Sequence, residues 1–208
     1  YGAELTPEDH RKILNSIVSS SERMFDLIKN LLDINAIEQG GVRLNPVVFD
    51  IAPLVAMATD SYRLRAEEKN IMLHFETEKN TEGNSTEGSS EKRTIVRADE
   101  QAAAQVIDNL ISNAVKYSPH GKNVFVKIAQ TTRTITHEEM SGEAESADSL
   151  PLIAQPVPFV RISVQDEGPG LSEVDKQKLF GKFARLSAQP TNGEHSTGLG
   201  LSIVKRMV

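Results

Sequence analysis

The sequence predicts an α+β protein: a two-layer sandwich in which helices cover one face of a mixed β-sheet, preceded by one long helix. Two observations support this fold class. Apolar residues recur every three or four positions from Thr6 to Glu38, which is the spacing of one face of a helix. Further along, short segments that alternate apolar and polar residues, as strands do, are separated by helical patterns. Helices between strands are typical of a layered sandwich.

The composition limits the classes of protein that the chain can belong to. Its 208 residues suffice for one large domain, or for a small module joined to a standard domain. The net charge is −6, and sequence-independent binding of nucleic acid needs a surplus of cations, so we predict no nucleic-acid partner. The absence of cysteine excludes disulfides and thiolate zinc sites, and fits a cytoplasmic location.

Hydropathy gives no indication of a membrane segment. The sequence has no run of 18 apolar residues and no signal-peptide pattern at its start. We therefore predict no membrane contact by this segment, and any membrane anchor of the parent protein would lie outside it.

The long first helix has clear boundaries in the sequence. Thr6 is suited to be its N-cap, Pro7 to occupy its first position, and Asp9 to meet the positive end of its dipole, while Gly40-Gly41 ends it. A helix of about 30 residues with a continuous apolar stripe needs a partner. We expect that partner in a hairpin or a dimeric bundle. The alternative is that the helix packs on its own globular domain.

The next six elements follow from the same patterns. They are an extended segment over Val42–Phe49, a helix from Ile51 to about Lys69, a strand over Ile71–Glu76, a solvated loop over Lys79–Arg93, a strand over Thr94–Arg97, and a helix from its cap Asp99 to about Tyr117.

The second half holds two strands around an unusual interval. We predict strands over Val124–Gln130 and Phe159–Gln165. The interval Thr131–Pro158 is polar, acidic and far longer than a hairpin requires, so we interpret it as an insertion. A glycine-rich turn, two short helical stretches, a flexible segment over Ser187–Ser196 and a last helix from Gly200 complete the chain.

The helix after Asp99 carries two asparagines in one stripe. Asn109 and Asn113 are four residues apart and share a helix face, and Lys116 lies one turn further. Amide oxygens suit a hard cation such as Mg²⁺, and an ammonium suits phosphate. Alone, the two asparagines are equally well explained as surface residues.

An acidic, glycine-rich turn follows the strand over Phe159–Gln165. Gly168 and Gly170 allow the backbone to approach a flat ligand, and the carboxylate of Asp166 can accept a hydrogen bond from an exocyclic amine. The alternative is an ordinary turn, since Gly-Pro-Gly forms turns in any context.

A second glycine-rich segment precedes the last helix. Its residues are Thr197, Gly198, Leu199, Gly200 and Leu201. Glycines before a helix N-terminus expose backbone N–H groups that suit an anion, although the ending of a Walker A loop is missing. A structural role alone is the alternative.

The segment from Lys178 to Leu186 interleaves aromatic and basic residues. Lys182 and Arg185 could face a triphosphate while Phe183 packs, and the segment that follows could close over it. The alternative is an amphipathic helix with a solvated basic edge.

Together and in this order, the four motifs resemble the N, G1, F and G2 boxes of histidine kinases. They read DNLISNAVKYSP, DEGPG, KLFGKFARL and TGLGLSIVK. The resemblance covers about residues 45–208 and implies the Bergerat-type ATP-binding fold of the gyrase, Hsp90, histidine kinase and MutL group. Upstream, the long helix is similar to the second helix of the dimerisation and histidine-phosphotransfer hairpin. We thus expect that partial hairpin over residues 1–41 and the catalytic domain over residues 42–208, with the insertion at about 131–158 and the family's final strands missing.

The resemblance implies roles at the base and the metal. Asp166 would bind the adenine amino group, with Gly168 and Gly170 at the base edge. Asn113 would hold Mg²⁺, with Asn109 beside it. The predicted catalytic residues are Asp108, Asn109 and Lys116. We propose Asp108, just before the first N-box asparagine, as the general base or orienting group for the acceptor imidazole.

It also implies roles at the phosphates. Lys116 and Tyr117 would contact the phosphates and the nucleotide. The segment Thr197, Gly198, Leu199, Gly200 and Leu201 would receive the β- and γ-phosphates. Lys182, Phe183 and Arg185 would line the lid side.

By resemblance, the activity is that of a protein histidine kinase. It would use Mg-ATP to phosphorylate a histidine and pass the phosphate to the receiver domain of a response regulator, as a homodimer joined through the helix bundle. The family's His-Glu-x-x-x-x-Pro box does not occur, and His10 is a weak candidate acceptor, so we interpret the chain as a fragment without its acceptor helix. The alternatives are a pseudokinase, in which ATP binding is allosteric or absent, and a dimeric scaffold.

Overall fold

The computed structural model describes residues 6–38, 44–77, 93–135, 155–184, 186–194 and 196–208. Within these ranges the elements are α1 (Pro7–Glu38), β1 (Val47–Asp50), α2 (Ile51–Ser61), α3 (Arg63–Glu68), β2 (Met72–Thr77), β3 (Ile95–Ala98), α4 (Glu100–Tyr117), β4 (Asn123–Ile135), β5 (Gln155–Asp166), α5 (Glu173–Lys178) and α6 (Gly200–Met207). This order of helices and strands confirms the predicted α+β class.

The predicted mixed sheet is confirmed. Its three strands lie in the order β2-β4-β5, with β2 parallel and β5 antiparallel to the central β4. β1 and β3 form a separate antiparallel pair. In the pairing of β4 with β5, Val124 lies opposite Asp166, so the end of β5 lies beside the start of β4. This register places the acidic turn at one edge of the sheet.

The core lies between one face of the sheet and helices α2, α3 and α4. Along β4 the side chains of Val124, Val126 and Ile128 are buried, because alternate residues of a strand point to the same face. Ile107 and Ile111 of α4 pack against them. Burial of each such side chain contributes about 1.5–3 kcal/mol. The opposite face of α4 is thereby left for polar residues.

The helix predicted from Ile51 to Lys69 was wrong in one respect, because it is two helices. The chain turns at Tyr62, whose N–H donates to the carbonyl of Thr59 at 3.2 Å. The Tyr62 side chain is buried, and its hydroxyl donates to Asp108 at 2.7 Å. The apolar pattern does not reveal this break between α2 and α3.

The insertion predicted over Thr131–Pro158 was wrong at both ends. β4 continues to Ile135 and β5 begins at Gln155, and the two strands pair throughout this stretch. In the described sheet β5 is an outer strand, where prolines such as those at positions 156 and 158 are tolerated. Residues 136–154 lie outside the described residues, as does most of the predicted loop at 79–93.

Helix α1 has the predicted start. Asp9 N–H donates to Thr6 Oγ1 at 3.1 Å, and Thr6 N–H donates to Asp9 Oδ2 at 3.1 Å, which is a reciprocal cap. The apolar stripe is largely exposed, from 38% at Leu27 to 69% at Phe25. α1 contacts α6. The partner helix and the domain boundary near residue 41 remain predictions.

Candidate functional site

Twelve of the sixteen predicted site residues line one cavity of about 780 Å³. This volume lies in the range of small-molecule sites. The cavity is lined by α4, by the turn after β5, and by the segments on either side of residues 189–195. The predicted residues among its walls are Asp108, Asn109, Asn113, Lys116, Tyr117, Asp166, Gly168, Gly170, Thr197, Gly198, Gly200 and Leu201.

Helix α4 presents its asparagines to the cavity because its other face is buried. The helix is capped by Asp99, whose Oδ1 accepts the Ala102 N–H at 2.9 Å. Asn109 Nδ2 donates to the carbonyl of Gln105 at 2.9 Å, which fixes the orientation of the amide. The Asn109 oxygen then faces Gly200, since a Cβ on Gly200 would come within 2.5 Å of it. The start of α6 is therefore held against the asparagine stripe.

The turn after β5 is closed by Asp166 itself. Its Oδ1 accepts the Gly168 N–H at 2.8 Å. A Cβ on Gly168 would lie 2.5 Å from that oxygen and 3.2 Å from the carbonyl of Tyr117. Glycine lets the backbone pass closely between the Asp166 carboxylate and the end of α4.

The start of α6 offers backbone N–H groups to the cavity. Gly198 has φ +68°, and Leu199 at the N-cap makes no side-chain capping bond. The first N–H groups of a helix have no partner within the helix, and its N-terminus carries partial positive charge. Since Gly200 and Leu201 line the cavity, this end is suited to an anion.

A buried carboxylate fastens the segment that follows α5. Asp175 Oδ1 accepts the Ser187 N–H at 3.0 Å, and its Oδ2 accepts the hydroxyls of Ser187 and Ser172. These hydrogen bonds, from Ser187 first and then Ser172, lower the pKa of Asp175 to about 2. The segment predicted to be flexible therefore begins at a fixed point.

Asp108 has a partner that the sequence did not reveal. The hydroxyl of Tyr62, which lies 46 residues away in the chain, donates to Asp108 Oδ1 at 2.7 Å. Burial and then this negative neighbour raise the pKa of Tyr62, so the phenol stays protonated and remains a donor. Tyr62 also lines the cavity. Nothing in the polar stretch around Tyr62 marks it for this role.

Of the predicted binding residues that the structure describes, three lie outside the walls of the cavity: Leu199, Phe183 and Lys182. The Leu199 side chain is fully buried against Ile203. Phe183 is 56% exposed with φ +54°, and Lys182 is also exposed. Arg185 lies outside the described residues. Conversely, Arg65 and Lys176 line the cavity, although no sequence motif indicated them. Both belong to helices whose polar faces look like ordinary solvated surface.

The side chains at the cavity fit Mg²⁺ only together with phosphate. In the described part of the chain, no group of three or more His, Cys, Asp or Glu residues could hold a metal ion. Mg²⁺ is commonly held by one or two protein oxygens plus substrate phosphates and water, and the asparagine stripe can supply such oxygens.

None of the helices in the described part of the chain is long and apolar enough to cross a bilayer.

The pattern that defines the histidine kinase-, DNA gyrase B- and HSP90-like ATPases matches residues 98–208, which is more than half of the chain. The chain belongs to this ATPase family. The matched residues of the ATPase domain include all four boxes and therefore every predicted binding residue.

Relatives of this ATPase domain include sensor kinases. The chain is 28% identical over 207 residues to the sensor protein EvgS of Escherichia coli K12, covering all of this chain and 14% of EvgS. It is 28% identical over 190 residues to the sensor histidine kinase WalK of Bacillus subtilis 168, covering 91% of this chain and 25% of WalK. The chain thus spans a quarter or less of the length of these two relatives.

A solved structure shares the fold of the ATPase chain. Histidine kinase ThkA, in complex with the response regulator protein TrrA, matches with a TM-score of 0.58 at 20% identity, over 98% of this chain and 45% of ThkA.

Proposed function

We propose that this ATPase domain binds Mg-ATP in the cavity and transfers the γ-phosphate to a histidine, for relay to an aspartate of a response regulator. One observation carries the proposal. A carboxylate suited to a base (Asp166), amides suited to a metal (Asn109 and Asn113) and glycine-rich backbone suited to phosphates (Gly198 and Gly200) line the same cavity. One nucleotide can satisfy all three only if it spans that cavity.

The base and the metal would be held by different elements, the turn after β5 and helix α4. Asp166 would accept the adenine amino group, in a turn that Gly168 and Gly170 keep open. Asn113 would hold Mg²⁺ together with the phosphates, and Asn109 would lie beside it. Bound Mg²⁺ neutralises charge on the phosphates during transfer.

The phosphates would lie between α4 and the start of α6. Lys116 and Tyr117 would contact them from α4. The N–H groups near Gly198, Gly200 and Leu201 would receive them from the other side. Phosphoryl transfer depends mainly on positioning and charge neutralisation, so these groups are sufficient on the nucleotide side.

Asp108 is the candidate base for the acceptor imidazole. It lies at the wall of the cavity next to Asn109, and its Oδ1 already accepts the Tyr62 hydroxyl. This hydrogen bond would leave the other carboxylate oxygen for the imidazole N–H.

The partners follow from the relatives. WalK is a sensor histidine kinase, and the ThkA structure holds a response regulator. We propose a receiver domain as the phosphate acceptor, a homodimer formed through the exposed stripe of α1, and a cytoplasmic location for this segment.

The assignment of the base can be tested by calorimetry of ATP binding to Asp166→Asn. Asparagine keeps an acceptor for the Gly168 N–H but loses the charge, so we expect the Kd for Mg-ATP to rise about 10- to 100-fold, as for loss of a charged hydrogen bond. Glu167→Gln is the matched control, because Glu167 is adjacent but accepts from Asn123 and does not line the cavity. Equal affinities for wild type and Asp166→Asn would exclude this role of Asp166.

Transfer is tested separately from binding. The chain is incubated with γ-labelled ATP and a separate hairpin that carries a His-Glu box, and phosphohistidine is measured. Label on the histidine supports a kinase. Tight binding of ATP without any label would favour the alternative, a pseudokinase or scaffold in which the nucleotide is a structural ligand.

A further inference from the structure

A buried lysine ties the end of α4 to the segment between the F and G2 boxes. The Lys69 side chain is only 2% exposed. Its Nζ donates to the carbonyls of Val115 and Lys116, at 2.6 Å and 3.1 Å, and lies 3.3 Å from Glu194 Oε1. An ammonium has three protons to donate, and all three have partners here.

The local backbone explains why Lys69 points inward. α3 ends at Glu68 with Lys69 as its C-cap, and the next residue, Asn70, adopts φ +53°, a left-handed conformation common just after a helix. The Lys69 carbonyl accepts the Gly121 N–H at 3.0 Å, which ties the residue to the turn between α4 and β4. The ammonium then meets the last carbonyls of α4, where the helix dipole favours a cation.

The same cluster holds the turn formed by residues 191–194. Thr191 N–H donates to the Lys116 carbonyl at 3.1 Å, and the Thr191 hydroxyl donates to the Ser118 carbonyl at 2.7 Å. Asn192 N–H donates to Glu194 Oε2 at 2.8 Å. Partial burial raises the pKa of Glu194, but backbone hydrogen bonds and the ammonium of Lys69 outweigh it, so the pKa is lowered and the carboxylate stays charged.

Both parts joined by this cluster belong to the cavity. Lys116 and Tyr117 line it from α4, and the residues on both sides of the 191–194 turn, Ala188 and Ser196, line it as well. Yet Lys69 and Glu194 do not themselves line it. Their effect on a nucleotide must therefore pass through the parts that they hold.

We propose that Lys69 and Glu194 are positioning residues, which lock the 191–194 turn onto the last turn of α4 and thereby set the affinity of the cavity for ATP. This inference rests on the proposed function. Loss of Glu194 removes the link between the turn and Lys69, while Lys69 keeps its two carbonyl partners and Thr191 keeps its hydrogen bonds to Lys116 and Ser118. The turn is then held more loosely. The ATP-binding walls then lose their fixed relation.

The test uses the full chain with Glu194→Ala and Glu194→Gln. Hydrogen exchange of the Thr191 and Asn192 amides is measured without nucleotide, and the Kd for Mg-ATP is measured by calorimetry. For Glu194→Ala we expect faster exchange of both amides and a Kd raised about tenfold, within the usual range of coupling between sites. Lys69 and Asn192 donate to different oxygens of Glu194. Glu194→Gln keeps one of these two acceptors, so we expect it to recover part of both effects. Glu76→Gln removes an exposed ion pair with Lys127 on another surface and is the matched control.

Every outcome of this experiment either supports or overturns the proposed role of Lys69 and Glu194. Faster exchange and weaker binding together in Glu194→Ala, with partial recovery in Glu194→Gln, support the proposal. Either change without the other, or neither, overturns it. If the wild-type chain does not bind Mg-ATP, the proposed function is wrong. If the wild-type chain binds Mg-ATP and the Glu194 variants bind it equally well, only the proposed role of Lys69 and Glu194 is wrong.

Discussion

The glycine at position 198 allows a quantitative test of how the cavity is built. Gly198 has φ +68°, and a Cβ there would lie 2.7 Å from the Ala184 carbonyl oxygen and 2.8 Å from the carbonyl carbon of Phe183. Both are backbone atoms, which cannot rotate away as a flexible side chain would. Gly198→Ala therefore adds a steric conflict to the conformational cost.

The conformational cost can be separated from the steric one. Gly121 has φ +72° with no atom within 4 Å of a built Cβ, so Gly121→Ala carries only the left-handed backbone cost. That cost is about 1–2 kcal/mol, partly offset by about 0.4–1 kcal/mol from the less flexible unfolded chain. Overpacking at Gly198 adds about 1–3 kcal/mol. We expect Gly198→Ala to lower the free energy of unfolding by about 1–3 kcal/mol more than Gly121→Ala.

Urea unfolding of both variants measures this difference, and calorimetry measures the effect on nucleotide binding. Displacement of residues 197–201 should raise the Kd for Mg-ATP in Gly198→Ala, because the N–H groups that face the phosphates would move. Gly121→Ala should leave the Kd unchanged. Equal losses of stability in the two variants would refute the close backbone contact as the reason for glycine at position 198.

Three further predictions concern polar groups. The fully buried Ser118 hydroxyl has no partner among the described residues, so Ser118→Ala should raise the free energy of unfolding by about 1 kcal/mol; a loss in urea unfolding would contradict this. The pKa of Asp175 is lowered to about 2, so its contribution to stability is complete above the unfolded pKa of about 3.9 and disappears as the pH falls toward 2. Asp175→Ala should therefore weaken the pH dependence of the Tm between about pH 4 and pH 2. An unchanged dependence of the Tm on pH would refute the lowered pKa of Asp175. Tyr62→Phe should cost about 1 kcal/mol through the lost hydrogen bond to Asp108, and a neutral result in urea unfolding would exclude that bond.

Much of the local structure could be predicted because it depends on neighbours in the chain. The caps Thr6 and Asp99 satisfy N–H groups three residues away, and the alternation along β4 reflects the period of a strand. Local patterns failed where a distant contact decided the outcome. The break between α2 and α3 falls at Tyr62, whose hydroxyl makes a hydrogen bond across 46 residues. The strand through Pro158 is tolerated because β5 has only one neighbouring strand in the described sheet.

The sequence by itself determined the four boxes, their order and the chemistry that each can supply, because residue type and spacing are properties of the chain. Only the tertiary structure decided that these boxes share one cavity, and that Lys69 meets Glu194 across 125 residues. Such contacts arise when buried faces pack and bring distant backbone ends together. No local pattern encodes them.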